Sequence, residues 1–128
     1  MSSLLSKKNM TEEDIKLRYI TPAITAKWNV ENITMETQIT DGQCNLRGNI
    51  ASRGPAKRAD YLLYINANNP IAVVEAKDNN HSISHGLQQA MAYAQMLDLP
   101  FAYSSNGDGF AEHDFLTGKE RILQLNEF

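Results

Sequence analysis

The chain has a single cysteine, Cys44, so no internal disulfide can form and a reducing, cytosolic setting is expected. No apolar stretch approaches the ~20 residues that a membrane-spanning helix needs. The opening "MSSLLSKKNM" has no apolar core of signal-peptide length, and residues 1–10 read as a polar, flexible lead-in. Positive charge is also short: 12 Lys and Arg against 15 Asp and Glu leave a net charge of −3. That argues against a generic basic nucleic-acid binder. It leaves room for a nuclease, whose metal-holding carboxylates add negative charge that bound cations offset. Histidine is scarce too. His81 and His85 stand four apart, but no second His or Cys cluster completes a zinc site. The only Gly-Lys pair, Gly118-Lys119, runs into Glu120, so there is no Walker A loop and no ATP site is expected in this chain. Internal repeats and low-complexity tracts are absent.

What remains is an ordinary globular composition, 42% hydrophobic and 21% charged over 128 residues. One domain spanning 11–128 is expected, burying roughly two thirds of the surface its unfolded chain exposes. Thr11 with Asp14 fits a capping box at the start of a helix, with acids in its first turn. Ile15, Tyr19, Ile20, Ala23 and Ile24 follow at helical spacing, and Trp28 closes the apolar face. Thr21-Pro22 predicts either a kink or a second helix start. "ITMETQIT" (33–40) alternates Ile33, Met35, Thr37 and Ile39 as a half-buried strand. A long irregular connection is expected from there to residue 58, holding Arg53, Lys57 and Arg58 within six residues.

Two β-type runs, 59–65 and 71–77, read as a hairpin with a four-residue loop. "SHGLQQAMAYAQMLDL" (84–99) predicts a helix with Leu87, Ala90, Met91, Ala94 and Leu97 as its apolar stripe, ended by Pro100. "FAYSS", a turn at "NGDG", "FAEHDF" and a last short strand at 122–125 complete the order. The whole predicts an α/β (α+β) fold, a mixed sheet flanked by helices.

The hairpin register carries the most specific inference. With 66–69 as the loop, Asp60 lies opposite Glu75, where like charges destabilise unless a cation compensates. Lys77, two residues beyond Glu75 and on its face, is one candidate cation, and a divalent metal is another. A slip of two would instead pair Asp60 with Lys77. Phosphodiester hydrolysis needs such a set: hard oxygen donors for Mg²⁺, which activates water and offsets charge at phosphorus, and a compact ammonium for the water or the transition-state oxygens.

Asp60, fourteen intervening residues, then Glu75-Ala-Lys77 resembles the PD-(D/E)xK nuclease pattern, with Ala59 in place of the proline. Gln89 and Tyr93, one helical turn apart, resemble the QxxxY element of the RecB-like branch. "EEDIKLRYITPAI", "KRADYLLYI", "VVEAKD", "QQAMAYAQ" and "FAYSSNGDGFAEHDFLTG", in that order, resemble the N-terminal nuclease domain of type I restriction enzyme R (HsdR) subunits over about residues 11–125. The resemblance implies a restriction-endonuclease-like core with Asp60, Glu75 and Lys77 as catalytic positions and Gln89, Tyr93 and Glu12 as auxiliary ones. Ile15-Lys16 stands where that family frequently has Thr-Arg.

By the same resemblance, Mg²⁺, with Mn²⁺ as substitute, is held by Asp60, Glu75 and the backbone carbonyl of Ala76. Near such a site, Lys57 and Arg58 are candidates for contacts to DNA phosphates. ATP enters only through a motor domain absent from this chain. The implied partners are double-stranded DNA and the modification (methyltransferase) and specificity subunits, in a bacterial or archaeal cytoplasm and away from membranes. Blander readings stand beside these: Asp60 as a turn residue, Glu12 as a first-turn acid, Tyr93 as core, and Lys57 and Arg58 as a solvated loop end. Other functions of the same fold are a stand-alone repair-type nuclease and a non-catalytic docking module.

Overall fold

The computed structural model describes residues 6–40, 43–45 and 57–128. The capping box forms as expected. Asp14 N–H donates to Thr11 Oγ1, and Thr11 N–H donates to the Asp14 carboxylate, both at 3.1 Å. They open helix α1 (Glu12–Ile15), which widens into a π turn over Lys16–Ile20 and tightens again as α2 (Thr21–Thr25). Pro22 lies in the first turn of α2, where its missing N–H is tolerated, so the chain takes the second-start alternative.

A seven-stranded sheet follows: β1 (Ile33–Thr40), β2 (Gln43–Asn45), β3 (Lys57–Asn66), β4 (Asn69–Ala76), β5 (Phe101–Ser105), β6 (Gly109–Asp114) and β7 (Lys119–Gln124), in the order β2-β1-β3-β4-β5-β6-β7. Every neighbouring pair is antiparallel except β4–β5. A parallel pair needs a crossover, and helix α3 (Leu87–Leu97) lies within it. The sheet is thus mixed.

The central strands separate two apolar layers. Tyr61, Leu63, Ala72, Val74 and Ala76 pack with Ile15, Ile20, Ala23 and Ile24 of the N-terminal helical segment. Leu62, Tyr64 and Val73 pack with Leu87, Ala90, Tyr93 and Ala94 of α3. Polar ties fasten the first layer: Thr21 Oγ1 lies 2.7 Å from Tyr61 Oη, and Trp28 Nε1–H donates to the Tyr64 carbonyl at 3.0 Å.

Several expectations are corrected. Within the long connection, the backbone of 43–45 pairs with β1 as β2, while Arg53 lies outside the described residues. Met35 is exposed rather than core, with β1 burying Thr37 and Ile39. The last strand begins at Lys119, three residues before 122. Helix α3 starts at Leu87 rather than 84, and its stripe includes Tyr93. It ends because Asp98 turns left-handed (φ 59°), two residues before Pro100. The lead-in is not wholly loose: Lys7–Asn9 form a 3-10 turn, Met10 is buried, and Lys7 pairs with Asp108 at 2.8 Å. Among the described residues no helix is long and apolar enough to cross a membrane.

Candidate active site

The β3–β4 hairpin sets the site. Its register is Tyr61↔Val74, Leu62↔Val73 and Leu63↔Ala72, which puts Asp60 level with Glu75 and excludes the slip of two. The turn itself is shorter than expected. Asn66 pairs with Asn69, leaving two residues between the strands, and irregularities around Tyr64 absorb the difference.

At the level of Asp60 side chains replace the ladder. Asp60 N–H donates to Glu75 Oε2 at 2.9 Å, and Ala76 N–H donates to Asp60 Oδ2 at 2.7 Å. Each carboxylate is thereby held by the other strand. The alternation of β3 lapses at the same point, since Ala59 joins Leu62 and Tyr64 in the α3-side layer.

Glu75 is 3% exposed, and its carboxyl is pushed up to about 8 from an ordinary 4.5. Burial is the largest cause and the charge of Asp60 the next, opposed by the hydrogen bond from the Asp60 N–H and by Lys77. Glu12 is raised as well, by burial first and by Asp60 second, so it shares the field of the same cluster. Lys77 is half-buried and acts on both Glu75 and Glu12 through its charge. Among the described residues it makes no ion pair.

The cation that touches Asp60 is Lys16, which sequence reasoning missed. Its ammonium lies 3.4 Å from Asp60 Oδ1, 2.9 Å from Glu13, 3.5 Å from Glu36 and 3.8 Å from Glu12. The available signal was its spacing. Lys16 falls four residues after Glu12 and four before buried Ile20, a charge on an apolar stripe. Glu36 carried no such signal. It falls between the pairs Met35↔Tyr61 and Thr37↔Ala59, hence level with Asp60, and its φ of 53° is costly for a non-glycine residue.

Gln89 and Tyr93 do come together: Gln89 Nε2–H donates to Tyr93 Oη at 2.8 Å. Among the described residues neither bonds to Asp60, Glu75 or Lys77. Lys57 and Arg58 are exposed at the start of β3, in a strand rather than at a loop end. His81 lies against His85 with tilted rings 4.4 Å apart at their centroids, and bonds Asp78 at 2.9 Å. Among the described residues no group of three or more His, Cys, Asp or Glu side chains is arranged to hold a metal. A Mg²⁺ site does not require one, because that ion is commonly held by one or two carboxylates with waters completing its shell. A carboxylate raised first by burial and then by its neighbour, with hard oxygen donors only, fits such an ion.

Comparisons with known proteins bear on the family and the fold. The family model described as the type I restriction enzyme R protein N terminus matches residues 9–121. The chain is 41% identical, over 97% of its length, to the type I restriction enzyme EcoAI endonuclease subunit of Escherichia coli, of which it spans 16%. A solved fragment of an HsdR subunit of a type I restriction enzyme from Vibrio vulnificus superposes with a TM-score of 0.78 at 42% identity, covering 93% of this chain and 23% of that one. With both sequence and fold matched over nearly its whole length, the chain belongs to the N-terminal region of type I restriction enzyme R proteins.

Proposed function

We propose that the chain is the Mg²⁺-dependent DNA endonuclease domain of a type I restriction R subunit, hydrolysing phosphodiester bonds after ATP-driven translocation by other parts of the complex. The observation that carries this reading is that each carboxylate is bound by the opposite strand, Glu75 by the Asp60 N–H and Asp60 by the Ala76 N–H, with Lys77 acting on Glu75 by its charge. A buried carboxylate beside a partly buried one weakens a fold unless the pair serves a cation.

Asp60 and Glu75 would hold the metal, with the Ala76 carbonyl as a further donor. When bound, Mg²⁺ supplies Lewis acidity toward a phosphate oxygen and the attacking water. Lys77 orients that water or offsets charge on the transition-state oxygens. Lys57 and Arg58, exposed on the same strand as Asp60, meet backbone phosphates and steer the duplex without reading sequence. Gln89, fixed by Tyr93, supports the site from α3 or touches the DNA backbone. Recognition and methylation fall to the specificity and modification subunits.

The test uses the R subunit assembled with those partners. Asp60→Ala, Glu75→Ala and Lys77→Ala should each abolish DNA cutting, by roughly a thousandfold or more as for loss of an essential catalytic group. ATPase activity should stay near wild type. Normal cutting by the Glu75→Ala enzyme sinks the assignment.

A further inference from the structure

Lys16 is an unusual lysine. Its side chain is 3% exposed, yet carboxylates from three separate elements come within 4 Å of its ammonium: Glu12 and Glu13 on α1, Glu36 on β1 and Asp60 on β3. A buried lysine normally loses its charge to desolvation. Here four carboxylates within 4 Å, one of them hydrogen-bonded, surround the ammonium and favour its charged form.

Its surroundings show what this ammonium does for the acid cluster. Glu36 sits level with Asp60 across β1 and β3, a placement that sets like charges side by side. Glu12 feels Asp60 as a repelling charge, as Glu75 does. The one ammonium reaches Asp60 on the oxygen that Ala76 N–H leaves open: Oδ2 accepts from Ala76, and Oδ1 faces Lys16. Both Asp60 oxygens are thereby fixed.

We infer that Lys16 is the resident counter-cation of this site, a positioning residue that pins Asp60 and offsets the acid cluster, and whose charge competes with the divalent ion. The inference rests in part on the metal-dependent reading above. Lys16 keeps the site assembled while the metal is away and, as a like charge, weakens metal binding when it arrives.

The experiment compares the wild-type chain with Lys16→Met and Lys16→Arg. Urea unfolding in EDTA gives the folding constant, and electron paramagnetic resonance of free Mn²⁺ gives metal uptake. Lys16→Met should lower the folding constant at least tenfold in EDTA yet bind Mn²⁺ roughly tenfold more tightly, the size expected for one removed charge a few ångströms from the ion. Lys16→Arg, which keeps the charge, should restore both values toward wild type. A purely space-filling lysine would leave Mn²⁺ binding unchanged or weaken it, and either result overturns the inference.

If Lys16→Met does not fold in EDTA, added Mn²⁺ or the companion substitution Glu36→Gln should rescue it, and failure of both also overturns it. Should the wild-type chain itself take up no Mn²⁺, or should uptake survive Asp60→Asn, it is the metal-dependent reading that fails. The counter-cation is then judged in EDTA alone, where Lys16→Met must cost less in an Asp60→Asn background than in wild type.

Discussion

Glu75 shows how a single residue links stability to the proposed chemistry. Its carboxyl is raised from 4.5 to about 8 by burial and by Asp60. Between those values the folded chain keeps a proton that the unfolded chain has released, so unfolding free energy falls as pH rises through that window and levels off above it. Each unit of such a shift is worth about 1.4 kcal/mol. In EDTA the urea midpoint should therefore drop from pH 5 to pH 8, and Glu75→Gln should flatten that slope. An unchanged slope in the variant would place the proton elsewhere. Metal uptake near pH 7 should also release about one proton, read as a buffer-dependent enthalpy in calorimetry, because the bound form needs the carboxylate. At this scale the hairpin register made Asp60 and Glu75 legible, since strand pairing follows from run length and alternation. Lys16 was half legible from its spacing, and Glu36 not at all, because a left-handed backbone inside a strand leaves no trace in composition.

Helix α3 is tied to strand β4 through one glycine. A Cβ on Gly86 would lie 3.0 Å from Ser104 Oγ, 3.3 Å from Glu75 Cβ and 3.4 Å from Lys77 Cε. Its own N–H donates to Ser104 Oγ at 3.0 Å, and Ser104 is level with Glu75 on β5. The φ of −89° is open to any residue, so the constraint on this position is the approach to Glu75 and Lys77 and not the backbone. Gly86→Ala should fold, lose about 1–3 kcal/mol from overpacking, and lose cutting out of proportion to that, because the methyl pushes on the two proposed catalytic side chains. Urea titration set beside DNA cleavage by the assembled complex checks this; cutting at the wild-type rate would release Gly86 from any part in positioning. The tie also explains why α3 begins three residues later than its helix formers suggest. Ser84 to Gly86 are drawn into a turn and a contact with β5, which outcompetes local propensity. The π turn at Lys16–Ile20 was illegible for a related reason. Pro22 signalled an interruption, but only tertiary packing decides what form it takes.

Across the whole molecule, two helical layers share one pair of central strands, and this arrangement makes the domain a single cooperative unit. Val74 is buried against the N-terminal helical segment, and its neighbour Val73 is buried against α3. The alternation of β3 and β4 into two apolar faces was legible from their nearly continuous apolar runs, which only a strand covered on both sides can bury. The strand at 43–45 was not, since three residues, Gln43, Cys44 and Asn45, are too few to show a period. Trp28, the only tryptophan, packs on the first layer and donates to the Tyr64 carbonyl, while Tyr64's side chain lies in the second, so its fluorescence reports a junction of the two. Val73→Ala and Val74→Ala should each destabilise by about 2 kcal/mol, from lost burial and the cavity left behind. If the layers unfold together, both variants move the Trp28 transition and the far-ultraviolet circular-dichroism transition by the same amount. If α3 and its layer can open alone, Val73→Ala will shift the dichroism curve and leave the Trp28 curve behind. Coincident curves are expected, because β3 and β4 cannot leave one layer without abandoning the other.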